Sequence, residues 1–237
     1  MAEVERAALE ASPPLDVLEA LSPRDHVRII AEIKRASPSR GPLADIPDPA
    51  SLAEAYQLGG ASAISVLTEA RRFGGSLEDL VAVRAAASVP LLRKDFIAEP
   101  YQVIEARAAG ADMVLLIVAA LDQATLKSLF QLVNGMGMTP LMETHSADEV
   151  ERSLDLGADL IGVNARDLDT LELDPDLFGR LADLIPSGVI RVAESAVKTT
   201  ADVAHYRRAG ADVVLVGEAL VTGGDPIATL REFLAAS

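Results

Sequence analysis

The sequence predicts an α/β fold: a single (β/α)8 barrel spanning residues 1–237, with residues 1–28 as an N-terminal helical extension. Three observations predict it. First, an apolar segment recurs four times, as Gly60-Ala-Ser-Ala-Ile-Ser-Val66, Gly110-Ala-Asp-Met-Val-Leu-Leu116, Gly157-Ala-Asp-Leu-Ile-Gly-Val163 and Gly210-Ala-Asp-Val-Val-Leu-Val216. Each glycine follows a helical pattern and ends it as a C-terminal cap. Each segment then opens a β-rich run that is apolar on both faces, as a parallel strand covered by helices must be. Second, four more strand candidates alternate with these copies: Ile29–Ile33, Pro90–Arg93, Thr139–Met142 and Val189–Ala193. Third, helical patterns fill the gaps, so strand starts near 29, 62, 90, 112, 139, 159, 189 and 212 mark eight βα units in one domain. A doubly wound open sheet is the alternative, but fourfold repetition of a two-strand unit suits a closed ring better.

The elements follow in order. Val4, Ala7, Ala8 and Ala11 share one helix face, which ends near Ser12-Pro-Pro14, and Leu15 to Leu21 form a second short turn. In the next stretch Ile29, Ile30, Ala31 and Ile33 read as a buried strand. Glu32 and Lys34 sit two apart and so share one face of it. Ser37, Pro38 and Gly41 break the strand into a loop. The helical patterns behind the strands cover Pro49–Leu58, Ser76–Ala86, Tyr101–Ala109, Leu121–Met136, Ala147–Leu156, Pro175–Leu184, Thr200–Ala209 and Pro226–Leu234.

Composition narrows the function. The net charge of −15 argues against a nucleic-acid or anionic-membrane surface. Aromatic residues make up 3% with no Trp, so base-stacking platforms are not expected. There is no cysteine, which excludes disulfides and thiolate metal sites. No apolar run reaches the roughly 18 residues that span a bilayer. The acidic start lacks the regions of a signal peptide, so the cytoplasm is the expected compartment. No metal spacing and no dinucleotide fingerprint is present, so no cofactor and no metal is expected.

In a barrel of this kind chemistry sits at the C-terminal ends of the strands. Those ends carry Glu32, Lys34 and Ser37; Thr68 and Glu69, then Arg71, Arg72 and Phe73; Lys94, Asp95 and Phe96; Glu143 and His145; Asn164, Arg166 and Asp167; Glu194 and Ser195; Gly217 and Glu218. Leu115, Ile117 and Val118 end the fourth strand as an apolar wall. Lys34, Arg35, Arg40, Arg71, Arg72, Arg93, Lys94 and Arg166 all cluster at strand ends, a local cationic funnel for a small anionic substrate. The loops after strands seven and eight are the usual phosphate site, with Ser195 as a hydroxyl, Gly217 for close approach and free N–H groups near Glu218. Glu218 is expected to turn its side chain away from an anion. His145 reads as a solvent-facing loop residue.

Several motifs together resemble one family. They are Glu32-Ile-Lys-Arg-Ala-Ser-Pro-Ser39, Ser65-Val-Leu-Thr-Glu69, Phe73-Gly-Gly-Ser-Leu77, Leu92-Arg-Lys-Asp-Phe-Ile97, Gly162-Val-Asn-Ala-Arg-Asp-Leu168 and Ala193-Glu-Ser195. In this order they resemble the indole-3-glycerol phosphate synthases of tryptophan biosynthesis, in their actinobacterial style, over about residues 15 to 235. The resemblance implies ring closure of 1-(2-carboxyphenylamino)-1-deoxyribulose 5-phosphate, with loss of CO2 and water. It implies Lys94 as general acid, Glu143 as acid/base partner in dehydration, and Lys34 as holder of the substrate carboxylate and phosphate. Glu32, Asn164 and Glu194 would orient the intermediate and the lysines, supported by Ser37 and Arg166. Phe73, Phe96, Leu115 and Leu168 would form the ring pocket, and Ser195, Ala196, Gly217 and Glu218 the phosphate site. A monomer is expected. Ala196 stands where the family usually has Gly, so a negative φ is expected there; Glu218 stands where a small or hydroxyl residue is common. A non-catalytic barrel that binds a sugar phosphate is the alternative reading.

Overall fold

The computed structural model describes residues 2–236. Eight parallel strands close into a barrel: β1 Arg28–Ile33, β2 Ala63–Leu67, β3 Leu91–Lys94, β4 Met113–Ile117, β5 Thr139–Thr144, β6 Leu160–Asn164, β7 Ile190–Glu194 and β8 Val213–Val216. Each pairs with its sequence neighbours, and β8 returns to β1 with Arg28 opposite Val213. The open-sheet alternative is therefore excluded.

The repeated Gly-Ala-Asp has a physical explanation. Gly60, Gly110, Gly157 and Gly210 all have φ between 80° and 100°, the left-handed turn that ends a helix and releases the chain into the next strand. The aspartate then ties strand starts together. Asp112 Oδ2 accepts the Leu91 N–H at 2.7 Å, and Asp212 Oδ2 accepts the Arg191 N–H at 3.0 Å.

Twelve α-helices surround this ring among the described residues. The extension forms α1, Ala2–Glu10, and α2, Val17–Leu21. Buried Val17 and Leu21 of α2 pack with Ile30, Ala63, Leu92 and Met113, which lie low in the barrel interior. Thus α2 stoppers the end opposite the strand C-termini. The segment between the two helices is pinned by Arg107, which donates to the Ala11 and Ser12 carbonyls at 2.9 and 2.7 Å. Asp112 Oδ1 also takes the Leu15 N–H at 2.7 Å.

The other helices are α3 Pro49–Gly59, α4 Ala70–Phe73, α5 Leu77–Ala86, α6 Pro100–Ala108, α7 Gln123–Gly135, α8 Ala147–Leu154, α9 Leu177–Ala182, α10 Thr200–Arg208, α11 Glu218–Thr222 and α12 Pro226–Ala235. Strand residues alternate between the helix-covered outer core, where Ile29, Ile64, Val114 and Val214 pack, and the barrel interior. At the C-terminal end the interior positions stop being apolar, and the site begins there. The turn after β1 also folds into a hairpin of Ala36–Ser37 against Gly41–Pro42, short strands that carry no hydrophobic period and so are invisible to pattern reading.

Candidate active site

A cavity of about 540 Å³ opens at the C-terminal ends of the strands. The sixteen residues to which the family resemblance gives a role all lie on its wall: Glu32, Lys34, Ser37, Phe73, Lys94, Phe96, Leu115, Glu143, Asn164, Arg166, Leu168, Glu194, Ser195, Ala196, Gly217 and Glu218.

Its centre is Lys94, the last residue of β3. Register brings β5 and β7 to the same height, so Lys94 Nζ lies 3.0 Å from Glu143 Oε2 and 3.1 Å from Glu194 Oε2. On β1, Lys34 Nζ meets Glu32 Oε1 at 2.5 Å, as their two-residue spacing predicts. Burial works against the Lys94 ammonium, but Glu143, Glu194 and Glu32 outweigh it and hold its pKa above the usual lysine range. Glu194 goes the other way. Burial, and after it the charge on Glu143, push its carboxyl up to about 8 against the pull of Lys94. Glu143 stays below the ordinary carboxylate range, because Lys94, then His145, overcome its burial. The Lys94 ammonium is therefore matched at neutral pH by the Glu143 carboxylate, while Glu194 keeps its proton. Glu194 Oε1 has no hydrogen-bond partner among the described residues. It fits there because residue 162 is glycine: a Cβ on Gly162 would lie 2.1 Å from that oxygen.

Asn164 organises the next wall. Its Oδ1 accepts the Ser195 hydroxyl at 2.7 Å and the Arg166 N–H at 3.0 Å. Arg166 in turn donates to the Leu171 carbonyl at 2.8 Å. At the rim, the Phe73 and Phe96 rings lie 6.3 Å apart, and the Arg72 guanidinium sits 5.5 Å from the Phe96 centroid. Phe96 and Leu168 are 42% and 44% exposed, an open apolar edge over buried Leu115. The Ser37 hydroxyl is buried without a hydrogen-bond partner among the described residues.

The turn after β7 corrects one expectation. Ala196 has φ +59°, not a negative value, and Ser195 has φ +66°. The chain must reverse within two residues so that Val197 re-enters the core, where it is buried, and the Asn164 bond fixes Ser195 on the way. Two successive left-handed residues achieve this, which accounts for a glycine preference at 196. The Ser195 hydroxyl already donates its one proton to Asn164, which leaves backbone N–H groups as the ready donors of this turn. Glu218 turns to Arg40 and pairs with it.

Two further expectations need correction. The cationic funnel is not cationic. The cavity wall carries Lys34, Arg72, Lys94, Arg166 and Lys198 against seven acids, Glu32, Glu69, Asp95, Glu143, Asp169, Glu194 and Glu218. Arg93 points outward instead, buried against Thr68, Asp95, the Gln102 carbonyl and Glu105. Arg35 braces the loop through Asp79 and the Ile46 carbonyl. His145 is not solvent-facing: its side chain is 13% exposed and lies 3.7 Å from Glu143. Pattern reading also missed Leu67 and Leu215 on the wall. Their signal was present, since each lies two residues beyond an interior position of its own strand. Among the described residues no group of three His, Cys, Asp or Glu side chains is arranged to hold a metal ion.

A parallel barrel with paired acids and lysines around an apolar pocket at its strand C-termini defines an enzyme of the (β/α)8 class. Comparison with known proteins gives the family. The sequence model of the family described as indole-3-glycerol phosphate synthase matches residues 1–233, and the chain belongs to that family. A relative from Leifsonia xyli named indole-3-glycerol phosphate synthase is 68% identical over 98% of this chain and 89% of its own length. One of the same name from Mycolicibacterium smegmatis is 60% identical over 99% and 86%. Among solved structures, a 3-hexulose-6-phosphate synthase superposes with a TM-score of 0.70 at 21% identity, over 89% of this chain and 99% of that one, which shows the shared barrel alone. No helix among the described residues is long and apolar enough to cross a membrane.

Proposed function

We propose that this cavity carries out the family's reaction, with Lys94 at its centre. The chain is a carboxy-lyase of tryptophan biosynthesis that forms indole-3-glycerol phosphate. The observation that supports the residue roles is the suspension of the Lys94 ammonium between Glu143 and Glu194, directly beside the apolar edge of Phe73, Phe96, Leu115 and Leu168.

With the anthranilate ring against that edge, the ring carbon attacks the ketone and Lys94 gives its proton to the developing alkoxide. Breaking the bond to the carboxylate returns its electrons to the ring and releases CO2. Glu143 then assists loss of the hydroxyl as water. Lys34, steadied by Glu32, holds the anionic ends of the substrate, and Glu194 and Asn164 orient Lys94 and the intermediate. The N–H groups of the Ser195–Ala196 turn and of the start of α11, beside Gly217, receive the phosphate. Arg40 neutralises Glu218 next to it. We take the chain to act as a monomer in the cytoplasm on this small anion, without cofactor or nucleic acid.

The test is turnover of 1-(2-carboxyphenylamino)-1-deoxyribulose 5-phosphate, with indole absorbance and released CO2 followed together. One CO2 per indole is expected. Binding without either product would instead favour the non-catalytic barrel.

A further inference from the structure

His145 follows β5 by one residue and is absent from the cavity wall, yet three observations tie it to the centre. Its Nε2 is buried, has no hydrogen-bond partner among the described residues and lies 3.7 Å from Glu143 Oε1. Its Nδ1 lies 3.3 Å from Glu149 Oε2 on α8. Glu143 turns its two oxygens to different neighbours, Oε2 to Lys94 at 3.0 Å and Oε1 to His145. The result is a chain of exchangeable groups, Lys94–Glu143–His145–Glu149, that runs from the cavity to the helix layer. Glu149, at the first turn of α8, keeps 14% of its side chain in contact with solvent.

The chemistry needs such a path. Counting protons, and resting on the reaction proposed above, the ketone oxygen gains one as the ring closes. The hydroxyl gains a second as it departs as water. The carbon next to the ring nitrogen gives one back. The carboxylate leaves as neutral CO2 with its bonding electrons returned to the ring. One proton must therefore enter the site in every turnover, and the bound substrate stands between Lys94 and the mouth.

We propose that His145 is the inlet: a positioning residue that relays a proton from the α8 side through Glu143 to Lys94. Nδ1 takes a proton from the Glu149 side and Nε2 hands one across the 3.7 Å gap to the ionised Glu143 Oε1; the carboxyl then turns to present that same proton to the neutral Lys94 amine. The surroundings suit the task. Glu143 of β5, Glu149 of α8, Glu194 of β7 and Asp167 of the loop after β6 all act on the imidazole, with Lys94 behind Glu143 as the cation. Burial opposes its charged form, but Glu149, Glu143 and Glu194 raise its pKa above the ordinary histidine value. A histidine held so can both take up and release a proton near neutral pH.

The test compares wild type, His145→Asn, His145→Gln and Glu149→Gln by steady-state turnover across the neutral pH range, with and without added imidazole. For His145→Asn the expected result is a fall in kcat of about tenfold or more. KM should stay within about twofold, the histidine limb should vanish from the kcat–pH profile, and imidazole should restore much of the rate. Glu149→Gln should lower kcat less. A kcat and pH profile like wild type in His145→Asn would overturn the relay. So would a loss that imidazole does not restore and that appears equally in KM, since packing alone would do that. If neither His145 variant folds, Glu149→Gln decides: an unchanged kcat refutes the inlet and a lowered kcat with an altered pH profile supports it. If wild type itself shows no turnover, the reading of the reaction fails first and the relay falls with it.

Discussion

Glu194 and Ala196, two residues apart, show how much a single position can decide. With its pKa raised to about 8, Glu194 holds a proton at neutral pH, and glutamine copies that state in shape and charge. Glu194→Gln should therefore lose less kcat at neutral pH than Glu143→Gln, and should lack the decline in kcat expected of wild type as Glu194 ionises near pH 8. The stability sign follows from linkage. A carboxyl whose folded pKa lies above its unfolded value contributes stability at low pH that is lost as pH rises, here between about 4.5 and 8. Wild type should thus lose stability relative to Glu194→Gln across that window in urea titrations, and parallel curves would show that Glu194 is ionised throughout.

For Ala196, a positive φ costs an L-residue about 1–2 kcal/mol. Glycine relieves that strain but adds about 0.4–1 kcal/mol of unfolded-state freedom. Ala196→Gly should therefore stabilise the fold by about 0 to 1.6 kcal/mol in equilibrium unfolding. Because the backbone N–H is unchanged, affinity for inorganic phosphate by calorimetry should shift by less than about tenfold. A hundredfold gain would mean that the methyl blocks the site.

The elements carried most of what was readable in advance. Strand starts were legible because parallel strands under helices leave apolar runs, and the recurring Gly-Ala marks each second one with a left-handed cap, to which Asp112 and Asp212 add a strand-tying carboxylate. The wall residues were legible because polar groups that end apolar runs have few other places to go. Direction was not. Arg93 and Lys94 are neighbours in sequence, but strand alternation sends Lys94 into the cavity and Arg93 out to Glu105. The reading of His145 failed for a similar reason. Nothing in the local pattern shows that Glu149, four residues on, folds back as the first turn of α8 to enclose it. The backbone of the Ser195–Ala196 turn was equally hidden, because it is imposed by Asn164 from another strand. Gly162 was read as part of a repeat, whereas its role is space. Gly162→Ala should displace Glu194, lower kcat far more than it raises KM, and leave the helical circular dichroism intact. Wild-type kcat in that variant would show that Glu194 is not held over Gly162.

At the scale of the molecule, a chain of net charge −15 must accept an anion through a cavity whose wall holds more acids than bases. On the proposed site, recognition would be short-range, through lysines already paired and backbone N–H groups, while the far field repels. Added salt screens that repulsion within about 10 Å at 0.1 M. Accordingly kcat/KM should stay level or rise modestly with ionic strength, and a steep fall would reveal long-range steering that this charge distribution does not offer.

The central claim is that Lys94, held between the Glu143 carboxylate and the Glu194 carboxyl, delivers the proton that closes the ring, with Glu143 as its acid/base partner. The measurement that tests it most directly is kcat and KM of Lys94→Ala and Glu143→Gln beside wild type, on folded protein, with indole formation as the signal. The account predicts kcat lower by on the order of 10² or more for Lys94→Ala, with a smaller change in KM, and slowed turnover for Glu143→Gln. Near-normal kcat in either variant would contradict it and move the acid/base role to other residues of the wall.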